Sequence, residues 1–414
     1  MVPSRVRRAA ESIHPRFLGG GARRGYGRSV VVAASARKRV RGDVIRLVHR
    51  NLGVQDFSRA VTRILGRAVP FDGICLLTVD PATLLPTGEI VEDGLPAAAM
   101  IRLTEIELRE PDFNKFTALA RTDQPTASLS GATAGDLDRS LRQRELRRPS
   151  GFADELRAVL SGTTGTWGAL TLLREARSPH FTPAEVRFVA SLAGALADGL
   201  RRAALIGDAV DGGGGDTGLL VLAADGTVEM ANPAAGRWLD ELGAGDRPGG
   251  HLPLAVRAAA SRARAAADGG NGGDGRGDGR GDGGPAACLA RARIRTPAGR
   301  WLVVRGSLLG DGPGSRVAVL LEAARPPELA PLIADAYGFT ERERLVTELV
   351  ARGLPTSEIA GRLHLSAYTV QDHLKSIFEK SGTGSRGDLV ARLFFDHYAP
   401  RLTPHGTTSV PMPE

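Results

Sequence analysis

The chain has 414 residues and a formal net charge of +8, which leaves room for two or three domains of roughly 150 residues, each large enough to bury its own core. Hydrophobic residues at 42% and charged residues at 24% are globular proportions, and aromatics at only 5% mean that the cores must be aliphatic. Charge is uneven: residues 1–42 hold ten Arg, Lys38 and a single acid, Glu11, so the rest of the chain is close to neutral, which excludes a bulk coating of polyanions but not a local basic site.

Only four of the 54 basic residues are Lys (Lys38, Lys115, Lys375 and Lys380), an arginine bias that fits a GC-rich bacterial genome. Cys75 and Cys288 stand far apart with no CxxC and no nearby His, which excludes a disulfide scaffold, a structural zinc site and an iron–sulfur cluster. The eight His lack HExxH and HxH spacing. His49, His180 and His251 read as loop or surface residues, so neither a metal nor another cofactor is expected. No apolar run approaches the ~20 residues of a membrane helix. The chain is therefore expected in the cytoplasm, without membrane contact.

Residues 1–42 contain Arg23-Arg24 followed by a short apolar stretch within Ser29–Ala36, the outline of a twin-arginine export signal. That stretch is at or below the ~7–15 residues such a region needs, and further Arg follow it at once. A disordered basic leader is expected instead, or sequence upstream of the true start. Residues 43–206 then read as α/β. Phe57, Val61, Ile64, Leu65 and Ala68 have helical spacing. Gly73 to Val79 is a strand ended by Asp80-Pro81, with Cys75 a small core residue in its middle. Asp154–Leu160 and Thr166–Leu173 are two more strands, joined by a hairpin turn at Ser161–Gly165. Thr182-Pro183-Ala184-Glu185 is a capping box, opening a helix to Ala203. Its seam of Val186, Val189, Ala193, Leu196 and Leu200 is expected to pack on the sheet of its own domain, pairing between protomers being the alternative.

Two Gly-rich stretches interrupt the body. Residues 207–217 form a linker containing Gly212 to Gly215. Within residues 268–284, ten of seventeen positions are Gly, which cannot bury enough apolar surface to offset its ordering entropy, so a disordered loop is expected there. Its Arg-Gly-Asp triplets carry no meaning inside a cell, and its Asp spacing fits neither a calcium β-roll nor an EF-hand. Residues 218–324 around that loop read as a small α+β domain. Leu219–Leu222 and Thr227–Met230 flank an Asp225-Gly226 turn, and Asn232 caps a short helix. Ala290–Thr296, expected to bury one face, joins Arg300–Val304 and Val317–Leu321 to make five strands.

Residues 332–398 are all helix. Thr340 to Glu343 is a second capping box, Thr356 to His364 a short helix, Leu365-Ser366 a tight turn. A longer helix runs from the Ser366 cap to about Lys380, and a fourth from Arg386 to about His397. A short helix, a tight turn and a longer helix make the arithmetic of a helix-turn-helix. Ala360 suits the close crossing of its two helices. The third helix keeps Val370, Leu374 and Ile377 on its core face and shows Tyr368, Thr369, Gln371, Asp372, His373 and Lys375 on the other, groups able to reach base edges and phosphates. The free N–H groups at Ser366 face a phosphate. Lys380 lies near the helix end, where a groove wall would be. A plain amphipathic bundle with a solvated face has the same pattern.

Residues 339–390 closely resemble the LuxR/NarL-type helix-turn-helix domain of bacterial transcription regulators. The residues that carry this are Thr340-Glu341-Arg342-Glu343, Gly353, Glu358-Ile359-Ala360, Leu363 to Ser366, Thr369-Val370, His373, Ile377, Lys380, Gly382, Arg386 and Leu389-Val390. The resemblance implies a four-helix domain whose third helix enters the major groove and whose fourth supports dimerisation. The DNA-contacting set it implies is Ser366, Tyr368, Thr369, Gln371, Asp372, His373, Lys375, Lys380 and Arg386. Pro355 stands where the family often has Ser, so the cap of the short helix must come from Thr356 or be absent. Gln371 stands where it often has Lys, and Asp372 beside it is repelled by phosphate. Residues 43–206 look like a GAF domain and 218–324 like a reduced PAS domain. Asn114-Lys115-Phe116 starts a nucleotide-binding motif of some GAF domains, but Phe152-Ala153-Asp154-Glu155 has the wrong interval to complete it.

The expected architecture is therefore multidomain: an α/β GAF-like domain, a small α+β PAS-like domain, a four-helix DNA-binding domain and a flexible tail at 399–414. The implied partners are double-stranded DNA, a second copy of the chain on that DNA, RNA polymerase, and an unidentified small molecule in the sensory modules. An enzyme is not expected, since the helical end has no P-loop, no kinase box and no metal-ligand pair. A phosphorylatable receiver is disfavoured because no acidic pair follows a first strand. The alternative is a signalling or scaffold protein whose helical domain docks on another protein.

Overall fold

The computed structural model describes residues 22–96, 99–206, 216–243, 251–270, 290–310 and 314–395. The N-terminal part runs α1 (Ala22–Val48), α2 (Val54–Leu65), β1 (Gly73–Val79), β2 (Pro86–Glu92), α3 (Ala99–Arg109), α4 (Phe116–Leu119), β3 (Thr126–Ser128), α5 (Leu129–Ala132), β4 (Phe152–Gly162), β5 (Gly165–Glu175), α6 (Pro183–Ala190) and α7 (Ala193–Ala203). Its five strands form one antiparallel sheet in the order β2-β1-β5-β4-β3. Leu156, Leu160, Leu170 and Leu172 of the two long central strands are fully buried, and α7 lies across them.

Two expectations about this part are corrected. Residues 22–42, read as disordered, belong to α1. Val40, Val44 and Leu47, at spacings of four and three, bury into the same core as Phe188 and Leu196; an apolar stripe on one face is enough to dock a helix that is otherwise arginine-rich. The helix expected from Thr182 to Ala203 is two helices. Thr182 does form the capping box with Glu185, but the Ser191 hydroxyl donates to Phe188 O at 2.6 Å and the chain breaks before buried Leu192. Val189, Ala193, Leu196 and Leu200 of the seam are buried in this core, with Val186 packed against its edge.

The middle part runs β6 (Gly218–Leu222), β7 (Val228–Ala231), α8 (Pro233–Glu241), α9 (Leu254–Gly270), β8 (Arg291–Arg295), β9 (Trp301–Leu309) and β10 (Arg316–Ala323). The five strands make a second antiparallel sheet, β7-β6-β10-β9-β8. Asn232 caps α8, its Oδ1 accepting from Ala235 N at 2.9 Å. Helix α9 is absent from the sequence reading. Its buried residues are mostly Ala, and it lies so close to β9 that a Cβ at Gly306 would stand 2.5 Å from Ala259 O. Asp268, Gly269 and Gly270 close this helix and do not begin the loop placed there. Residues 271–284, like the leader 1–21, most of the linker (207–215), Cys288 and the tail 399–414, lie outside the described residues.

Strand β8 does not simply bury one face. Arg293 is 5% exposed, because Asp80, at the end of β1, takes hydrogen bonds from its Nε (2.8 Å), its Nη2 (2.6 Å) and its backbone N (2.9 Å). The two sheets are thus joined by a buried ion pair.

Five helices follow: α10 (Pro326–Tyr337), α11 (Glu341–Ala351), α12 (Thr356–Leu363), α13 (Ala367–Ser381) and α14 (Arg386–Phe395). The first begins before the expected boundary at residue 332. Its Leu329, Leu332, Ile333 and Ala336 belong to the N-terminal core, while Ala334 and Tyr337 pack against the C-terminal one. Arg293 Nη1 donates to Glu328 O at 3.1 Å, and Arg201 donates to Ala336 O. Both sheet parts therefore grip the helix that leads into the last four.

Candidate nucleic-acid interface

The last four helices close on a small core of Phe339, Val346, Ile359, Val370, Ile377 and Leu389. Helix α12 ends at His364 in the left-handed conformation (φ 55°), and Leu365 N donates to Ala360 O at 2.9 Å. The chain then reverses within one residue to Ser366, whose Oγ accepts from Thr369 N at 3.0 Å and caps α13. Ala360 is buried at the crossing of α12 and α13. This is a helix-turn-helix in geometry as well as in spacing.

Burial of Val370, Leu374 and Ile377 fixes the rotation of α13. The opposite stripe, Tyr368, Gln371, Asp372, Lys375 and Glu379, is exposed, with Tyr368 at 73%. Gln371 and Lys375 are four residues apart and neighbours on that face. Thr369 and His373 are half-buried at its edges, and the Thr369 hydroxyl lies 2.8 Å from Ser366 Oγ. Seven of the nine residues read from sequence thus gather at the open face and N-terminus of α13. Glu379, on the same stripe, was missed.

Lys380 and Arg386 are placed differently. Lys380 Nζ donates to Glu343 Oε2 at 2.6 Å. Arg386 reaches back to α12, with Nη1 donating to Leu354 O at 2.9 Å and Nη2 to Thr356 Oγ1 at 2.6 Å. These bonds occupy the first turn of α12, whose N-cap is Pro355 with no side-chain cap, so the cap lost to proline is absent and not supplied by Thr356. Glu343, unremarked in sequence except as a capping residue, is the hub. It accepts from Lys380, from Ser376 Oγ (2.6 Å) and from Thr340 N (2.6 Å).

Residues 338–393 match the model of a family described as bacterial regulatory proteins, luxR family. The C-terminal domain is a luxR-family helix-turn-helix domain. Among its relatives, the transcriptional regulatory protein DesR of Bacillus subtilis is 32% identical over 96 residues, 22% of this chain and 48% of that protein. The transcriptional regulatory protein UhpA of Escherichia coli is 42% identical over 55 residues, 13% of this chain and 28% of that one. The chain therefore spans less than half the length of these relatives. A solved GAF domain/HD domain protein from Geobacter sulfurreducens aligns with 40% of this chain and 95% of its own at 19% identity, with a TM-score of 0.27, too loose a likeness to assign the N-terminal fold.

Within the luxR-family domain, burial alone would raise the Glu343 pKa, but Lys380, Ser376 and Thr340 N–H outweigh it and hold the group down to about 2. Its folded pKa lies below its unfolded value, so the ion pair stabilises the domain above about pH 4.5, and that contribution is lost as pH falls towards 2. Hydrogen exchange of α11 and α13 amides, corrected for the intrinsic pH effect, should show roughly 2 kcal/mol of acid-labile protection. Glu343→Gln should be less protected at neutral pH and nearly flat through the carboxylate range.

Away from this domain, a small cavity of about 90 Å³ lies in the N-terminal part, walled by Leu77, Leu103, Phe116 and Cys75, with Arg147 and Arg157 at one side. Burial pushes the Cys75 thiol up to about 12, which keeps it neutral and unreactive. Of the nucleotide-motif residues Phe116 lines the cavity, and Asn114, Lys115, Phe152, Asp154 and Glu155 do not. Asn114 Nδ2 donates to Ser128 O and Lys115 Nζ to Glu110 O, while Asp154 accepts from Ser130 and Phe181 N. Among the described residues no three His, Cys, Asp or Glu are grouped to hold a metal, and no helix is long and apolar enough to cross a membrane.

Proposed function

We propose that this chain is a sequence-specific, DNA-binding transcriptional regulator that lays α13 in the major groove. The observation that carries the reading is the exposed polar stripe Tyr368–Gln371–Asp372–Lys375 on a helix whose other face is locked in the core. The regulators among its relatives support the same reading. Gln371 would read an adenine through two hydrogen bonds, Lys375 a guanine or a phosphate, and the Ser366 end a phosphate. Asp372, an acceptor repelled by phosphate, would favour a base amino group such as that of cytosine, or a neighbouring Arg. Lys380 and Arg386 drop out of the contact set, because each holds the domain together. The protein acts in the cytoplasm as a dimer paired through α14, engages RNA polymerase and is not an enzyme. Its GAF- and PAS-like parts modulate DNA binding, with a small molecule in the 90 Å³ cavity as one input.

The test is sequence selection from a random duplex pool, followed by binding of Gln371→Ala to the selected site and its single-base variants. The substitution should cost about 1–3 kcal/mol on the preferred site and abolish discrimination at one base pair. Equal weakening on every sequence would remove α13 as the reading helix. A chain that binds no duplex, yet captures a protein partner through the same stripe, would establish the docking alternative.

A further inference from the structure

The luxR-family domain is poorly charged for a polyanion. Residues 338–393 hold eight Arg and Lys against seven Asp and Glu. Five of those cations are committed: Arg344 to Asp335, Arg352 to Glu348, Lys380 to Glu343, Arg386 to the start of α12 and Arg392 to Gly382 O. Protein affinity for duplex DNA comes largely from neutralised phosphates. This domain alone offers few groups to supply that.

The missing charge lies on α1 and α2. Residues 34–68 hold nine Arg and Lys against Asp43 and Asp56. Val40, Val44 and Leu47 turn inward, so Lys38, Arg39 and Arg46 stand on the outward side of α1, with exposed Arg50 just beyond its end. On α2 and just beyond it, Arg59, Arg63 and Arg67 form an exposed row at intervals of four. The rows meet at a furrow between the helices, lined by Arg46, Arg50, Arg67 and Asp43. Asp43 binds both Arg46 and Arg67, at 3.2 Å for the latter, and so joins the two rows in one surface; one carboxylate shared by two guanidiniums leaves the furrow of Arg46, Arg50 and Arg67 with a net positive charge.

We infer that this α1–α2 face is a second DNA-binding surface, which grips the phosphate backbone beside the sequence read by α13. It rests on the DNA-binding reading above. The placement favours it: α1 packs on α7, α10 packs on the same helix, and Leu393 of α14 packs against the same core. The basic face and the reading domain therefore share one scaffold. A membrane surface fits less well, because an interfacial helix must present a broad apolar face to lipid. Here the apolar face of α1 is spent on the core, and Ile45 is the one exposed large hydrophobic on the described part of the helix.

The experiment uses the full chain and two variants with opposite expected signs. Duplexes are the selected site with long random flanks and a wholly random sequence, each titrated across a salt series. Replacing Arg46, Arg50 and Arg67 with Ala should weaken both duplexes by the same factor, roughly tenfold or more. It should lower the slope of log affinity against log salt by about two to three units, leaving the preference between duplexes unchanged. Asp43→Asn should tighten both. Misfolding cannot produce gain in one variant and uniform loss in the other, and circular dichroism melts check both folds. Unchanged affinity and slope in the triple variant overturn the inference, as does loss of selectivity. Retained DNA binding with loss of binding to phosphatidylserine vesicles would reassign the face to a membrane. If Gln371→Ala still relaxes selectivity while the triple variant is silent, only this inference fails. If the wild-type chain binds no duplex, the DNA-binding reading fails with it.

Discussion

Glu155→Ala should unfold most of the N-terminal part under conditions where the wild type is stable. Glu155 sits on β4 with no exposure and faces three buried guanidiniums. It accepts from Arg142 Nε at 2.6 Å and Arg147 Nε at 3.1 Å, and pairs with Arg157 Nε at 3.1 Å. Burial acts to raise its pKa, and Arg142, Arg157 and Arg147 override this and hold it far below the usual carboxylate range. Asp112 pairs with Arg142 and Glu107 with Arg157, so the cluster is balanced at three charges of each sign. Removing Glu155 leaves one guanidinium uncompensated in low dielectric, at a cost of about 3–5 kcal/mol. That is a large part of the roughly 5–15 kcal/mol that stabilises a domain. Urea unfolding should show the midpoint falling with unchanged slope. Glu155→Gln, which keeps shape and one acceptor oxygen, should lose less; equal losses would mean that the charge both substitutions remove, and not shape, holds the cluster.

Asp80→Ala should have an effect of similar size at a different place. Asp80 is 2% exposed and Arg293 5%, so the substitution strands a buried guanidinium between the two sheets, again at about 3–5 kcal/mol. The damage should appear as separated thermal transitions, since this pair joins β1 to β8 and, through Glu328 O, to α10. Arg293→Met on the Asp80→Ala background should recover much of the loss, because removing both charges leaves nothing unpaired. A double variant no better than the single would show that the backbone bond from Arg293 N, and not the ion pair, carries the junction.

Features that depend on residues close in sequence were legible. The boxes at Thr182 and Thr340, the Asn232 cap, the long β-branched and leucine-rich strands and the polar stripe of α13 are all set within a few positions, where local chemistry decides. What escaped depends on residues far apart. Asp80 and Arg293 are 213 positions apart, Lys380 and Glu343 37, and no local pattern announces that a charge will be buried because a distant one awaits it. Helix α9 escaped because contact on both sides, with β9 and with α3 and β2, selects Ala and so erases the apolar-polar alternation. Strand β2 begins Pro-Thr-Gly-Glu and has few apolar positions to read. In α1 the arginines dominated the composition, while the stripe that docks the helix needs only one residue per turn.

Helix α10 has a consequence for orientation. It is 12 residues long, is held near its start by Arg293 at Glu328, and ends at Gly338 with φ 75°. The corner beyond it is closed by Phe339 N donating to Ala334 O at 3.0 Å and by the stacking of Tyr337 on Phe339. A helix advances about 100° of azimuth per residue. The number of residues between the anchored end and the corner therefore fixes the compass bearing of α13 relative to both sheets. Adding or removing one residue there would swing the reading stripe by more than a quarter turn while leaving each sheet and each helix intact. The bearing of the exposed α13 stripe relative to both sheets is encoded in a length.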